Sequence, residues 1–309
     1  MPPSQFSSGD VIADRRADYA RMLAEGGDFE AAAELIEQAL EIVPGWAAGW
    51  FRLGEYREKG GLAAAAQAYR QVLVLEPSDV FGASLKLALL GAGSVPDRPP
   101  SRYVEGLFDD YAAKFDTALV EKLDYSVPGK LAALVAAYGP FSNVVDLGCG
   151  TGLFGAEIRD RAERLEGFDL SLNMLAKARE KDLYDHLGQA DLSLSVEKSG
   201  LFSEGLGHGR ADLVSAADVL MYLGSLETVF PLVTALLKPS GLFAFSVEDA
   251  GEDETFRLRD SLRYAHSELY VAALCARHGL TPVESENTVI RMDAGKPVRG
   301  ILFLSRKAG

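Results

Sequence analysis

The sequence predicts an all-α helical-repeat domain over residues 1–98, followed by an α/β domain over 99–309 with a largely parallel sheet. Three observations carry this. The first 98 residues are Ala-rich and helical in period, with Pro44 and Pro77 standing 33 residues apart. Gly91–Pro100 holds Gly91, Gly93, Pro96, Pro99 and Pro100, a linker composition. Beyond it, short apolar runs alternate with amphipathic helical segments, and one run ends in a glycine-rich turn.

In the first domain, Arg16, Tyr19, Ala20 and Leu23 line one predicted helix; Ala32, Ile36 and Ala39 line the next, which Pro44 stops. Trp50, Leu53 and Gly54 open a second unit that continues through Ala65, Tyr69 and Val72 to Pro77. Its turn, Lys59-Gly60-Gly61, is one residue short of the pattern. A third helix, Val80–Leu90, is placed to cap the stack. The period, with small residues where helices approach, resembles tetratricopeptide repeats (TPR); a plain helical bundle is the competing reading.

In the second domain the predicted strands are Asn143–Leu147, Leu165–Asp169, Gly188–Asp191, Ala211–Ala216, Gly241–Val247, Thr281–Val289 and Gly300–Ser305. Arg291–Arg299 is too short for a crossover, so the last two strands should form an antiparallel hairpin.

The chemistry is carried by Val144-Val145-Asp146-Leu147-Gly148-Cys149-Gly150-Thr151-Gly152. Glycines let a strand turn tightly and let a ligand approach the main chain, and a helix starting near Leu153 offers N–H groups. Gly150-Thr151-Gly152-Leu153-Phe154-Gly155 also matches G-x-G-x-x-G, which alone would suggest a nicotinamide dinucleotide and an oxidoreductase. Asp146 argues against that: an acid beside the turn repels a pyrophosphate and welcomes a cation. Asp169 and Asp191 close the next two strands. Asp169 is placed to accept from ribose hydroxyls and Asp191 from an adenine amino group. Each alone is as well explained as a helix cap or loop acid; three in succession after this turn are not.

These segments resemble the class I S-adenosylmethionine-dependent methyltransferases. Asp146-Leu147-Gly148-Cys149-Gly150-Thr151-Gly152 matches the first motif of that family, and Asp169-Leu170-Ser171 with Met174-Leu175 the second. Ala190-Asp191-Leu192 is similar to the third, and Asp212–Asp218, including Ala217, to the fourth strand; Leu237-Lys238-Pro239-Ser240-Gly241 resembles the turn into the fifth. With its N-terminal repeats, the whole chain resembles bacterial methyltransferases that carry TPR repeats. The resemblance implies a Rossmann-like sheet in the order 3-2-1-4-5-7-6. It implies S-adenosylmethionine as cofactor, S-adenosylhomocysteine as product, and cofactor contacts at Asp146, Gly148, Gly150, Gly152, Asp169, Leu170, Met174, Asp191, Leu192 and Ala217. In related small-molecule enzymes an N-terminal helix lids the cofactor. Tyr103, Leu107, Phe108, Tyr111 and Phe115 recur at helical spacing, so Tyr103 or Tyr111 is a candidate contact, with plain packing as the alternative.

Candidate catalytic residues are Tyr222, after the fourth strand, and His266, which opens a helix after a charged loop. Imidazole suits a general base, while a surface or capping His fits equally. Methyl transfer is a displacement on an activated carbon, so holding the partners in line can supply most of the rate. Glu248 and Asp249 follow the fifth strand near the expected acceptor.

The formal charge of −14, without a basic cluster, argues against nucleic acid, as does Ala217-Asp218-Val219-Leu220, which lacks the motifs of nucleobase methylases. A small-molecule acceptor is expected first and a protein second. A cofactor-sensing TPR protein without turnover is the alternative from another class, and the repeats suggest a protein partner. Cys149 and Cys275 lack metal-ligand spacing, so no metal is expected. With no spanning apolar run and no signal-like start in Met1–Asp18, the expected location is the cytoplasm.

Overall fold

The computed structural model describes residues 7–112, 115, 125–203, 205–251, 255–293 and 295–309. Two compact units divide it, Met1–Gly106 and Leu107–Gly309. The linker composition cuts the chain earlier, at 98/99, ahead of a helix over Ser101–Tyr111 that runs across the division.

Among the described residues, five helices lie wholly in the first unit: α1 (Val11–Glu25), α2 (Phe29–Ile42), α3 (Ala47–Lys59), α4 (Ala65–Leu75) and α5 (Ala83–Leu89). Asp10 caps α1 by accepting from the Ile12 and Ala13 N–H groups, and Asp28 caps α2 through Ala31. The buried stripe of α1 is Ala13, Ala17 and Ala20, which shares a core with Ala32, Ile36 and Ala39 of α2. Tyr19, read as part of the inner face of α1, is instead 62% exposed. The close approach of two alanine faces leaves no room for a ring. Gly54 on α3 is required by contact: a Cβ there would lie 2.6 Å from the Tyr69 ring of α4. Tyr103 belongs to this unit, its ring against Gly82.

In the second unit α6 (Ser101–Tyr111) contributes its last residues. It is followed by α7 (Val127–Leu134), β1 (Phe141–Leu147), α8 (Leu153–Ile158), β2 (Ala162–Asp169), α9 (Leu172–Glu180), β3 (His186–Gln189) and β4 (Ala211–Ala216). Next come α10 (Val229–Leu236), β5 (Leu237–Asp249), β6 (Phe256–Leu258), β7 (Tyr264–His266), α11 (Glu268–Arg277), β8 (Leu280–Asp293) and β9 (Lys296–Lys307). Strands β3-β2-β1-β4-β5 are parallel. β9 then pairs antiparallel with β5, and β8 with β9. Counting β8 and β9 as the sixth and seventh predicted strands, the order is the 3-2-1-4-5-7-6 that the resemblance implies.

Both faces of the sheet are covered, as parallel strands require. Val144, Leu213, Leu242 and Leu302 pack with α7 and α8 on one face. Val145, Val214, Phe243 and Phe245 pack with α10 and α11 on the other. Phe243, Phe245 and Phe303 stack across β5 and β9 at 4.2 and 5.1 Å between centroids.

Three local expectations differ. β5 starts at Leu237 and runs through the expected turn; Ser240 takes a left-handed φ of 64° there, and the pairing with β4 slips between Ala211 and Leu213. β3 ends at Gln189, so Asp191 stands in the following loop. The segment around His266 is strand, not helix: β7 pairs with the end of β5 and with β6, and α11 begins at Glu268. Among the described residues, no helix is long and apolar enough to cross a membrane, and no His, Cys, Asp and Glu group is placed to hold a metal ion.

We expect a fragment of residues 99–309, which keeps α6 whole, to fold alone, because the buried clusters on both faces of the sheet draw only on residues 127–304. Circular dichroism melting should show one cooperative transition; an unfolded or insoluble fragment would mean that the repeats complete its core.

Candidate functional site

The site is built where β1 ends. Gly148, Gly150 and Gly152 all have left-handed φ, 64°, 55° and 91°. Their surroundings differ. A Cβ on Gly148 would lie 2.2 Å from Val219, and one on Gly152 3.0 Å from the Tyr184 ring. At Gly150 the nearest described atoms are of the Phe115 ring, at 3.8 and 4.0 Å. The turn is thus tightly packed on both flanks, whereas at its centre a Cβ would make only ordinary contact with the Phe115 ring.

Tyr184, which precedes β3, closes one flank. Its ring lies over Gly152, Gly155 and Gly167, where a Cβ would come within 3.0, 2.4 and 2.8 Å of it. Its hydroxyl donates to Asp146 Oδ2 at 2.8 Å, and Ser215 donates to Oδ1 at 2.8 Å. The third glycine of the G-x-G-x-x-G match is therefore accounted for by a tyrosine. Asp146 is 1% exposed, and both its oxygens serve hydroxyls inside the protein. Burial pushes its carboxyl up to about 7, against the lowering effect of those two bonds.

Asp169, at the end of β2, ties two turns together. Oδ2 accepts from the Gly150 N–H at 2.9 Å and Oδ1 from the Ser171 N–H at 2.8 Å. Burial raises its carboxyl to about 6; the backbone N–H groups oppose this and Asp109 adds to it. Ser171 caps α9, its Oγ accepting from the Met174 N–H while donating to Asp109 Oδ1 at 2.6 Å. The Asp109 carbonyl accepts from Asn173. The end of α6 is thereby fastened to the β2–α9 turn.

The remaining predicted cofactor contacts divide by exposure. Leu170 is half-buried, and its carbonyl accepts from Gln189. Asp191 is half-buried, with Oδ1 accepting from the Ser193 N–H at 2.8 Å. Ala217, half-buried past β4, accepts from the Tyr125 hydroxyl at 3.4 Å. Leu192 is buried and Met174 fully so. Tyr103 lies in the first unit, whereas Tyr111 meets the Phe115 ring edge-on at 5.8 Å.

Aromatic rings lead from the turn toward β4: Phe115 to Phe108 at 6.2 Å, then Phe108 to Tyr222 at 4.9 Å. Tyr222 is half-buried; burial raises its phenol, while Arg263, which hydrogen-bonds it, pulls the other way. His266 is neither exposed nor a cap; it is 0% exposed, and Ser267 caps α11. Its Nε2 lies 2.9 and 2.8 Å from the Leu223 and Gly224 carbonyls, so that nitrogen carries the proton. Burial pushes the ring down to about 4, and it is neutral at pH 7. It fastens β7 to the chain directly after Tyr222.

Glu248 is 1% exposed and is gripped by Arg291 and by Arg259, the latter at 3.1 Å. Arg291, 2% exposed on β8, also holds Asp218 at 2.6 Å. Asp218 itself has a left-handed φ of 55°. Sequence reasoning missed Tyr184, Asp109 and Arg291. Gly155 and Gly167 were the available signal for a large ring near β1; nothing local marks the other two.

Residues 119–285 match the family model of a methyltransferase domain, and residues 13–56 match a tetratricopeptide repeat. A malonyl-[acyl-carrier protein] O-methyltransferase of Enterobacter lignolyticus is 29% identical over 140 residues, 45% of this chain and 51% of that protein. A trans-aconitate 2-methyltransferase of Delftia acidovorans is 33% identical over 118 residues, 38% and 41% of the two chains. The chain spans about half the length of the curated relatives it matches. The crystal structure of Burkholderia thailandensis 1,6-didemethyltoxoflavin-N1-methyltransferase, with that compound and S-adenosylhomocysteine bound, shares the fold. The TM-score is 0.52 at 21% identity, covering 70% of this chain and 93% of that one.

The turn yields a differential prediction. Gly148→Ala and Gly150→Ala both incur the left-handed penalty of about 1–2 kcal/mol. Gly148→Ala adds the Val219 overlap, so thermal unfolding should show it clearly less stable than Gly150→Ala. Equal melting temperatures would contradict this packing.

Proposed function

The chain belongs to the methyltransferase-domain family, and from that membership we propose that it moves a methyl group from S-adenosylmethionine to a small-molecule acceptor. The observation that supports this reading is the glycine turn, crowded at Gly148 and Gly152, roomy enough for a Cβ only at Gly150 beneath the Phe115 ring, and held by Asp169.

The residues present fit the cofactor. A ligand chain can pass the main chain at Gly150, where a Cβ has room and no Cβ exists. Each Asp169 oxygen spends one lone pair on a backbone N–H and keeps acceptor capacity for ribose hydroxyls. Asp191 is the corresponding acceptor for the adenine amino group, and Leu170, Leu192 and Met174 give the nonpolar surroundings. Bound S-adenosylmethionine supplies an activated methyl group on a sulfonium. The protein's part is placement: Phe115, Phe108 and Tyr111 cover the turn and exclude water, and Tyr222 faces the acceptor side. His266, neutral and fully buried, acts by holding the Leu223–Gly224 segment rather than by taking a proton.

The relatives' names refer to methylation of malonyl-[acyl-carrier protein] and of trans-aconitate, which supports a small organic acceptor here. The charge of −14 supports the same choice over nucleic acid. The TPR region is the natural docking surface for a protein partner, and two buried free thiols agree with a cytoplasmic location.

Calorimetry with S-adenosylhomocysteine tests the cofactor assignment. Asp169→Asn should weaken binding by about tenfold, the loss of a charge-assisted bond. Wild-type affinity should fall as pH drops through about 6, where the Asp169 carboxyl protonates, and the variant should lack that slope. Gly150→Val should stay folded yet lose binding. Unchanged affinity in both variants would remove the turn from the cofactor site.

A further inference from the structure

A cavity of about 450 Å³ opens behind Tyr222, between the end of β5, the β6–β7 hairpin and the tip of the β8–β9 hairpin. Its volume falls in the range of small-molecule sites. In a chain of net charge −14, its walls carry four cations, Arg257, Arg259, Arg263 and Lys296, against three carboxylates, Glu248, Asp260 and Asp293. Glu248 is already committed, since Arg291 and Arg259 occupy its two oxygens.

Arg263 links this cavity to the candidate site. It hydrogen-bonds Tyr222 on one side and pairs with Asp293 at 2.9 Å on the other. The Asp293 side chain is 45% exposed and that of Arg263 25%, so this pair is wet and contributes little that an incoming anion could not replace. Arg291 is different: 2% exposed and held by two buried carboxylates, it cannot be redirected. The exchangeable cation therefore faces the cavity, and the fixed one lies behind it. A planar guanidinium matches a carboxylate with two parallel bonds.

We propose that this cavity anchors the methyl acceptor, and that the acceptor carries a carboxylate held by Arg263, with Arg259 behind it, while its nucleophile lies on the Tyr222 side. The proposal rests on the methyl-transfer reading for its meaning, but its binding test does not depend on it.

Succinate and citrate serve as probes, with sulfate as the anion control, all at matched ionic strength on the full chain. Calorimetry on wild type should show saturable binding of the carboxylates and weaker binding of sulfate. Arg263→Gln should weaken carboxylate binding about tenfold or more, Arg263→Lys should recover part of it, and the surface change Lys198→Gln should have no effect. Labelling of wild type with phenylglyoxal gives a second readout that needs no variant: succinate should protect Arg263. Absent carboxylate binding, binding no better than that of sulfate, or an unprotected Arg263 overturns the proposal. S-adenosylhomocysteine is titrated in the same samples. Its binding without carboxylate binding sinks the anchor alone; carboxylate binding without it upholds the anion site and sinks the cofactor reading.

Discussion

Everything at the site depends on one carboxylate bonded to two stretches of main chain. Asp169 accepts from the N–H groups of Gly150 and Ser171, so the turn after β1 and the turn after β2 are fixed to each other. Ser171 then passes the constraint to Asp109, and through it to the end of α6, whose Phe108 and Tyr111 rings contact the Phe115 ring beside Gly150. Sheet edge, glycine turn and aromatic cover form one hydrogen-bonded chain. A carboxylate does this better than an amide because two equivalent oxygens can each accept from a separate N–H and still retain lone pairs toward solvent or ligand.

Burying acids at this edge has an electrostatic consequence. Asp146 and Asp169 have carboxyl groups raised to about 7 and about 6 by burial, above the usual carboxylate value of 3.8. A raised value means that the folded state binds the proton more tightly than the unfolded chain. The stability these two groups lend is present at acid pH and is lost as pH rises from about 4 toward 7. His266 works in the opposite sense: depressed to about 4, it favours the folded state above its ordinary value, a contribution lost as pH falls through that window. Near neutrality Asp169 is largely ionised and Asp146 about half so, and a nearby positive charge would favour the ionised form of both.

Much of this was legible in the sequence, and the unreadable parts share a cause. The strand order was implied by the family resemblance, and the terminal hairpin by the short interval between the last strands. Local spacing placed the three acids near strand ends: Asp146 and Asp169 stand at the ends of β1 and β2, and Asp191 two residues beyond β3. Tyr184, Asp109 and Arg291 act across 38, 62 and 73 positions of chain, and contacts at such separation leave no periodic trace. β6 and β7 are three residues each within a charged stretch, too short to show alternation, which is why His266 read as a helix opener. Tyr19 was misplaced because helical spacing alone does not say which face of α1 turns inward. In an alanine-faced helix pair the small residues go inside.

The arrangement around Tyr222 shows how a fold can specify a position without drawing stability from it. Arg291 joins Asp218, beyond β4, to Glu248, at the end of β5, all three almost wholly buried. The desolvation of such a triad can cancel its attraction, so a nonpolar replacement of equal volume could match it in stability. A nonpolar cluster tolerates sliding, whereas a guanidinium between two carboxylates has one satisfactory geometry. Asp218 holds a left-handed backbone conformation within this clamp, and Tyr222 follows it by four residues, with His266 securing the chain just beyond. The loop is therefore fixed from both ends by buried polar contacts. In-line displacement tolerates little positional error at the reacting atoms, and a loop held in this way would meet that demand.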